Sequence, residues 1–196
     1  IAMTLATTPA LQFEPTLLLA AQGIRVVFLD VDGVLTDGGL LYSEAGEMLK
    51  RFNTLDGHGL KMLQRAGITP AIITGRDSAA LRTRLAALGI TQAVYGTEDK
   101  LPAAAKLLAG LGCTWAQAAA MRHDWPDLPM LTQAAFAAAP ANAHAEVKAR
   151  AHYVTQATGG HGAVRELCDI LLQAGGHYAE TLRCYLPPVA PAPQQP

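Results

Sequence analysis

Arg25-Val26-Val27-Phe28-Leu29-Asp30-Val31-Asp32-Gly33-Val34-Leu35-Thr36-Asp37-Gly38 is the stretch whose reading decides the fold. Its first five residues form an apolar run rich in β-branched and aromatic side chains, which reads as a short buried strand. Asp30 and Asp32 then stand two positions apart at the strand's C-terminal end, with Gly33 directly after them. Charges are rarely placed at the rim of a buried sheet unless they bind or react there. In open α/β sheets that rim is also where ligands sit. Asp30 is placed to attack phosphorus and Asp32 to shuttle a proton to a leaving group. Gly33 permits the sharp turn and leaves room for a substrate. An acidic N-cap after a strand needs only one acid, and it explains neither the second acid nor Thr36.

Outward from this stretch, strands and helices alternate. The pattern predicts an introductory helix over about Pro9–Gln22 and a hairpin within 38–53, with Ser43–Glu47 as its loop. A helix capped by Asp56 follows, running through Leu63. Further strands are expected at Thr69–Thr74, Gln92–Tyr95, Ala116–Met121, Phe136–Ala138 and His152–Val154. Helices are expected at Ser78–Leu88, Lys100–Leu111, Pro126–Ala134 and Ala163–Ala174. Such alternation implies a parallel sheet with helices on both faces, and right-handed crossovers put the strand C-termini on one edge. The expected organisation is an N-terminal extension over 1–23, one catalytic domain over 24–175, and a C-terminal helix with a Pro-rich irregular tail over 176–196.

Composition narrows the partners. The chain has 196 residues, 51% hydrophobic and 16% charged, with a net charge of −1, and so offers no basic face for nucleic acid. No run is long enough to span a membrane, and the first basic residue, Arg25, comes too late for a secretory signal. Three widely spaced cysteines without a CxxC read as reduced thiols of a cytoplasmic protein.

Asp30–Thr36 resembles the first motif, DxDGxLT, of the haloacid dehalogenase (HAD) superfamily of phosphohydrolases. Thr74, at the end of Ile72-Ile73-Thr74-Gly75-Arg76, is similar to the second motif, and Lys100 to the third. Thr74 and the N–H groups after it suit a phosphate oxygen. The resemblance implies that Lys100 neutralises the phosphoryl group and holds the nucleophile. It also implies a HAD-like Rossmannoid three-layer sandwich with a small hairpin flap and no cap domain.

The fourth motif departs from the pattern. Where the superfamily has GDDxxD, this chain has Arg122-His123-Asp124-Trp125-Pro126-Asp127. The resemblance implies a metal site from Asp30, Asp32 (through its backbone carbonyl), Asp124 and Asp127, with His123 at the position of the usual acid. Mg²⁺ wants oxygen ligands, whereas imidazole suits Mn²⁺, Co²⁺, Ni²⁺ or Zn²⁺. Three outcomes are compatible with the sequence: a weakened Mg²⁺ site rescued by Asp124, a transition-metal site through His123, or no metal with Arg122 paired to an acid.

Within the superfamily, several strings are similar to the 3-deoxy-D-manno-octulosonate 8-phosphate (KDO 8-phosphate) phosphatase family. They are Lys50-Arg51-Phe52-Asn53, Asp56-Gly57-His58-Gly59, Trp125–Met130 and Gly159–Glu166. That resemblance implies hydrolysis of a phosphorylated sugar acid through an aspartyl-phosphate, a cytoplasmic homotetramer and a place in lipopolysaccharide synthesis. Gly33, Gly75, Arg76 and Arg51 are the candidate substrate contacts, the two arginines for a substrate carboxylate. A related branch acts on nonulosonate 9-phosphates. The competing class is a HAD-fold binding or scaffold protein that has lost its metal chemistry. A HAD phosphotransferase or mutase would need a lid to exclude water, which the missing cap does not provide.

Overall fold

The computed structural model describes residues 9–187. Of the Pro-rich tail expected over 187–196, residues 188–196 lie outside the described residues. The fold is the expected one: six parallel strands in a single sheet, with helices on both faces and a separate two-stranded hairpin. In chain order the elements begin with α1 (Pro15–Ala20), β1 (Val26–Leu29), the hairpin β2 (Leu41–Ser43) and β3 (Gly46–Leu49), and α2 (Thr54–Arg65). There follow β4 (Thr69–Ile73), α3 (Ala79–Leu88), β5 (Gln92–Val94), α4 (Lys100–Gly110), β6 (Ala118–Met121) and α5 (Leu128–Gln133). The chain closes with β7 (Phe136–Ala139), α6 (Ala145–Lys148), β8 (Tyr153–Val154), α7 (Ala163–Ala174) and α8 (Tyr178–Arg183).

Sheet order is β5-β4-β1-β6-β7-β8, so β1 lies between the two halves. Connections run outward to β5 on one side, then return across β1 to β6. This reversal opens a crevice at the C-terminal ends of β1, β4 and β6, where α/β sheets bind ligands. The motif strands end there in register, with Leu29 beside Ile72 and Met121.

Side chains of β1 alternate between two cores. Val27 and Leu29 pack with Leu60 and Leu63 of α2, Leu81 and Leu85 of α3, and Leu167 of α7. Val26 and Phe28 face Ala104 and Leu108 of α4 and Met130 of α5. Both faces of β1 are therefore dry, which is why its sequence runs apolar rather than alternating. The central strands β6 and β7 are largely alanine, a weak strand former. Their complete burial between helical layers overrides that propensity.

Four local expectations need correction. The hairpin turn is only Glu44–Ala45, because Ser43 pairs in β2 and Gly46 and Glu47 in β3. The first helix starts at Pro15, because a residue before proline is pushed to extended backbone, as Glu14 is at φ −58°, ψ 134°. Asp56 does not cap its own helix. Asn53 does so, accepting from Leu55 N at 2.8 Å, while Asp56 reaches across to accept from Arg165 N at the start of α7 at 2.8 Å. The strand expected from Ala116 begins two residues later, since Trp115–Gln117 forms a helical turn with the Gln117 side chain accepting from Thr114 N. Among the described residues, no helix is long and apolar enough to cross a membrane.

Candidate active site

At the end of β1 the backbone makes a wide turn, Thr36 N donating to Val31 O at 3.0 Å. Gly33 lies in that turn at φ +77°, and a Cβ there would stand 2.4 Å from the His123 ring. Both backbone strain and the imidazole therefore demand glycine. The turn is braced from behind. A Cβ on Gly159 would meet Gly33 O at 2.0 Å. Asn142 ties the two segments together, donating to Gly33 O at 3.3 Å and accepting from Gly159 N at 2.7 Å.

Asp30 is buried at the crevice floor. One carboxylate oxygen accepts from Val31 N at 2.7 Å, and the other takes Lys100 Nζ at 2.8 Å. Lys100 Nζ also reaches Asp127 Oδ1 at 2.6 Å, bridging the two acids. Lys100 is the first residue of α4, where a cation opposes the helix dipole. The two carboxylates offset that cost. Burial pushes the Asp30 carboxyl up, but attraction to His123, Arg122 and Lys100 outweighs it and holds the group well below the usual carboxylate range. Asp30 is thus a ready anion.

Asp32 faces the flap. Its Oδ1 takes Lys50 Nζ at 2.6 Å, and its Oδ2 lies 3.6 Å from Arg76 Nε. Lys50 is buried and also sits 3.0 Å from Glu47 Oε1, so the hairpin is anchored on Asp32 by one ammonium. Burial pulls the Lys50 ammonium down, but its two carboxylate partners more than restore it. The string Lys50-Arg51-Phe52-Asn53 carries no sign of this partner. A short hairpin run does not reveal which residue turns inward to a partner 18 positions away in sequence.

Thr74, buried at the end of β4, accepts from Arg76 N at 3.3 Å and keeps its hydroxyl proton available to a ligand. A Cβ on Gly75 would stand 3.3 Å from the Glu98 carboxylate, so the chain passes that loop closely. Arg76 extends to Tyr42 Oη at 3.0 Å. Arg51 lies farther out, 2.8 Å from Asp37 and 2.7 Å from His161 Nε2. Both arginines stand at the rim, 45% and 63% exposed.

The segment after β6 separates the fourth-motif residues. Arg122 is fully buried, donating to Ile73 O at 3.1 Å, with its guanidinium 3.6 Å from Asp127 Oδ1. His123 turns toward the floor, its Nδ1 3.6 Å from Asp30 Oδ2 and 3.6 Å from Asp127 Oδ2. These separations are too long for hydrogen bonds, and Nδ1 is a buried atom without a partner. Asp124 points away, exposed and accepting from Trp125 N at 2.8 Å. The donor atoms of Asp30, His123 and Asp127 all lie within 4.8 Å of one another, a group able to hold a metal ion. The side chains of Asp124 and Asp32 are not part of it.

No protein-family model matches the chain. Individual relatives do. The 3-deoxy-D-manno-octulosonate 8-phosphate phosphatase KdsC of Yersinia pestis is 45% identical over 154 residues, 79% of this chain and 82% of the relative. A 3-deoxy-D-manno-octulosonate 8-phosphate phosphatase from Moraxella catarrhalis, solved with magnesium, phosphate and KDO, superposes with a TM-score of 0.85 at 36% identity. That match covers 89% of this chain and 100% of the other. The cobalt-bound form of the Haemophilus influenzae deoxy-D-mannose-octulosonate 8-phosphate phosphatase (YrbI) has a TM-score of 0.79 at 42% identity, covering 81% and 93%.

Proposed function

The chain belongs to the KDO 8-phosphate phosphatase family of the HAD superfamily, and from that premise we propose that it hydrolyses KDO 8-phosphate to KDO and phosphate. The observation that carries the reading is Asp30, an anion at the end of the central strand, held by Lys100, with Asp32 two residues on. Asp30 attacks phosphorus, forming an aspartyl-phosphate as the bond to the sugar oxygen breaks. Asp32 donates a proton to the departing alkoxide. It then takes a proton from water, which attacks the same phosphorus and returns Asp30 as a carboxylate.

Lys100 and Thr74 face the phosphoryl oxygens and stabilise them as charge redistributes. Asp30, His123 and Asp127 would hold a divalent ion, which would supply further charge neutralisation and orientation. Because Asp32 is engaged by Lys50, the flap's position governs how freely that carboxylate exchanges a proton. Arg76, nearest Asp32, is the stronger candidate for the substrate carboxylate. Arg51 is committed to Asp37 and His161.

We read the assembly as a homotetramer joined through the flaps. Leu41, Tyr42 and Leu49 support this, being apolar hairpin residues that are 58%, 61% and 61% exposed. Size-exclusion chromatography with light scattering tests it, and a monomer would remove the reading. Cys113, Cys168 and Cys184 are all free thiols, which supports a reducing, cytoplasmic setting. The chemistry is tested by phosphate release from KDO 8-phosphate and from a nonulosonate 9-phosphate, each with Mg²⁺, Mn²⁺, Co²⁺ or EDTA. Preference for the eight-carbon substrate is expected. Silence with every sugar-acid phosphate and every ion would contradict the proposal.

A further inference from the structure

We propose that His123 is a nitrogen ligand, and that it moves the ion preference of this site from Mg²⁺ toward Co²⁺ and Zn²⁺. The inference deepens the phosphatase reading and rests on it only for where the ion sits. Three observations carry it. First, His123 Nδ1 is buried and without a hydrogen-bond partner, and it stands equidistant, at 3.6 Å, from one oxygen of Asp30 and one of Asp127. Ligand atoms about 2.1 Å from a tetrahedral ion stand about 3.4 Å apart, so the spacing suits a shared ion better than a hydrogen bond.

Second, one face of the imidazole and the backbone beneath it are held. Its ring lies against Gly33, where a Cβ would stand 2.4 Å away, and His123 O accepts from His144 N at 2.8 Å. A ligand whose backbone and one ring face are already placed loses less freedom when an ion arrives.

Third, the charge balance is unusual. The Asp30 and Asp127 carboxylates already face the Lys100 ammonium and the buried Arg122 guanidinium, so anions and cations cancel before any metal enters. Mg²⁺ is held mainly by negative charge and oxygen donors, both of which this arrangement reduces. Affinity of a mixed nitrogen and oxygen set rises along the late first-row metals. Donor chemistry, not net charge, therefore decides the ion.

The test is calorimetric titration of the metal-free full-length protein with MgCl₂, CoCl₂ and ZnCl₂, alongside the visible absorption of the Co²⁺ form, in the parent and in His123→Asp. Since most sites favour Co²⁺ over Mg²⁺ to some degree, the decisive quantity is the ratio of Kd for Mg²⁺ to Kd for Co²⁺. The proposal expects that ratio to fall by at least about tenfold in His123→Asp, with a shifted Co²⁺ spectrum. An unchanged ratio and spectrum overturn it. A parent that binds none of the three ions also overturns it, leaving Arg122 and Lys100 as the only charges that neutralise the two acids. Should His123→Asp not fold, His123→Ala serves: Co²⁺ binding weakened at least about tenfold with an altered spectrum supports the proposal, and a retained spectrum refutes it. No substrate is present in these titrations, so loss of phosphate release and loss of ion preference are separate results.

Discussion

The ends of β1 and β6 lie side by side on one sheet edge, yet they are built on opposite principles. The turn after β1 is defined by backbone: Gly33 at positive φ, Asn142 bonded to its carbonyl, and Gly159 packed against it with no space for a side chain. The segment after β6 is filled by a side chain. Arg122 is fully buried there and bonds Ile73 O of the neighbouring strand. The first region tolerates almost no change, so its acids stay where the chemistry requires them. The second has accepted a large cation and an imidazole while keeping Asp127 in contact with Lys100. On the proposed mechanism, nucleophile and ion are thus placed by separable parts of one site.

The strongest way to break this comparison is Asp30→Asn. It should abolish turnover, by about 10³-fold or more, while far-UV circular dichroism and Tm stay near the parent's. Residual activity near the parent level would detach the β1 end from the chemistry. Next in size is Lys100→Ala, which leaves Asp30 and Asp127 buried without their bridging cation. Denaturant unfolding should show a loss of about 3–5 kcal/mol, with turnover falling as well. A loss under 1 kcal/mol would mean that solvent reaches the pair.

Gly159→Ala probes the backbone-defined region from behind. A Cβ facing Gly33 O at 2.0 Å forces the two segments apart, so stability should fall by about 1–3 kcal/mol and turnover with it. Arg122→Met tests the side-chain-filled region and should be milder. Volume is roughly kept and Lys100 still pairs Asp127, so stability should change by about 1–2 kcal/mol. Divalent ion affinity should rise about tenfold as a nearby positive charge is removed.

The smallest effect is expected away from both regions, at Asp56. Its Oδ1 caps α7, while burial raises its carboxyl above the ordinary value. A raised folded-state value means that the stability linked to the neutral form is fully present below the unfolded value. It declines as pH rises through the folded one. Asp56→Asn keeps the acceptor and removes the buried charge, so near neutral pH it should be neutral or slightly stabilising. Asp56→Ala, which removes the cap, should cost about 1 kcal/mol. Thermal melts between pH 4 and 8 distinguish the two.

What was legible in the sequence follows the same division. Asp30, Asp32, Thr74 and Lys100 each close a strand or open the following helix, so a local pattern was enough to bring them to one edge. The parallel sheet followed from helices interleaved between short apolar runs. Pairings across the fold were not legible. Nothing near Lys50 signals that it turns inward to Asp32 while Arg51 turns out to Asp37. Nor does the string around Arg122 announce a fully buried guanidinium, since a charged residue beside a loop ordinarily reads as solvated. At Asp56 a local window points to a cap on its own helix, whereas the contact with α7 depends on Gly59, where a Cβ would press on Cys168 Sγ at 3.0 Å. Such contacts belong to the packed layers rather than to any window of sequence.

The most direct test of the central claim is to mix the protein with KDO 8-phosphate, quench in acid during turnover, and map any phosphoryl mass by peptide mass spectrometry. A substrate-dependent phosphoryl group on the peptide carrying Asp30, absent from Asp30→Asn, is the predicted result. Turnover with the phosphoryl group on another residue, or undiminished turnover in Asp30→Asn, would contradict the account.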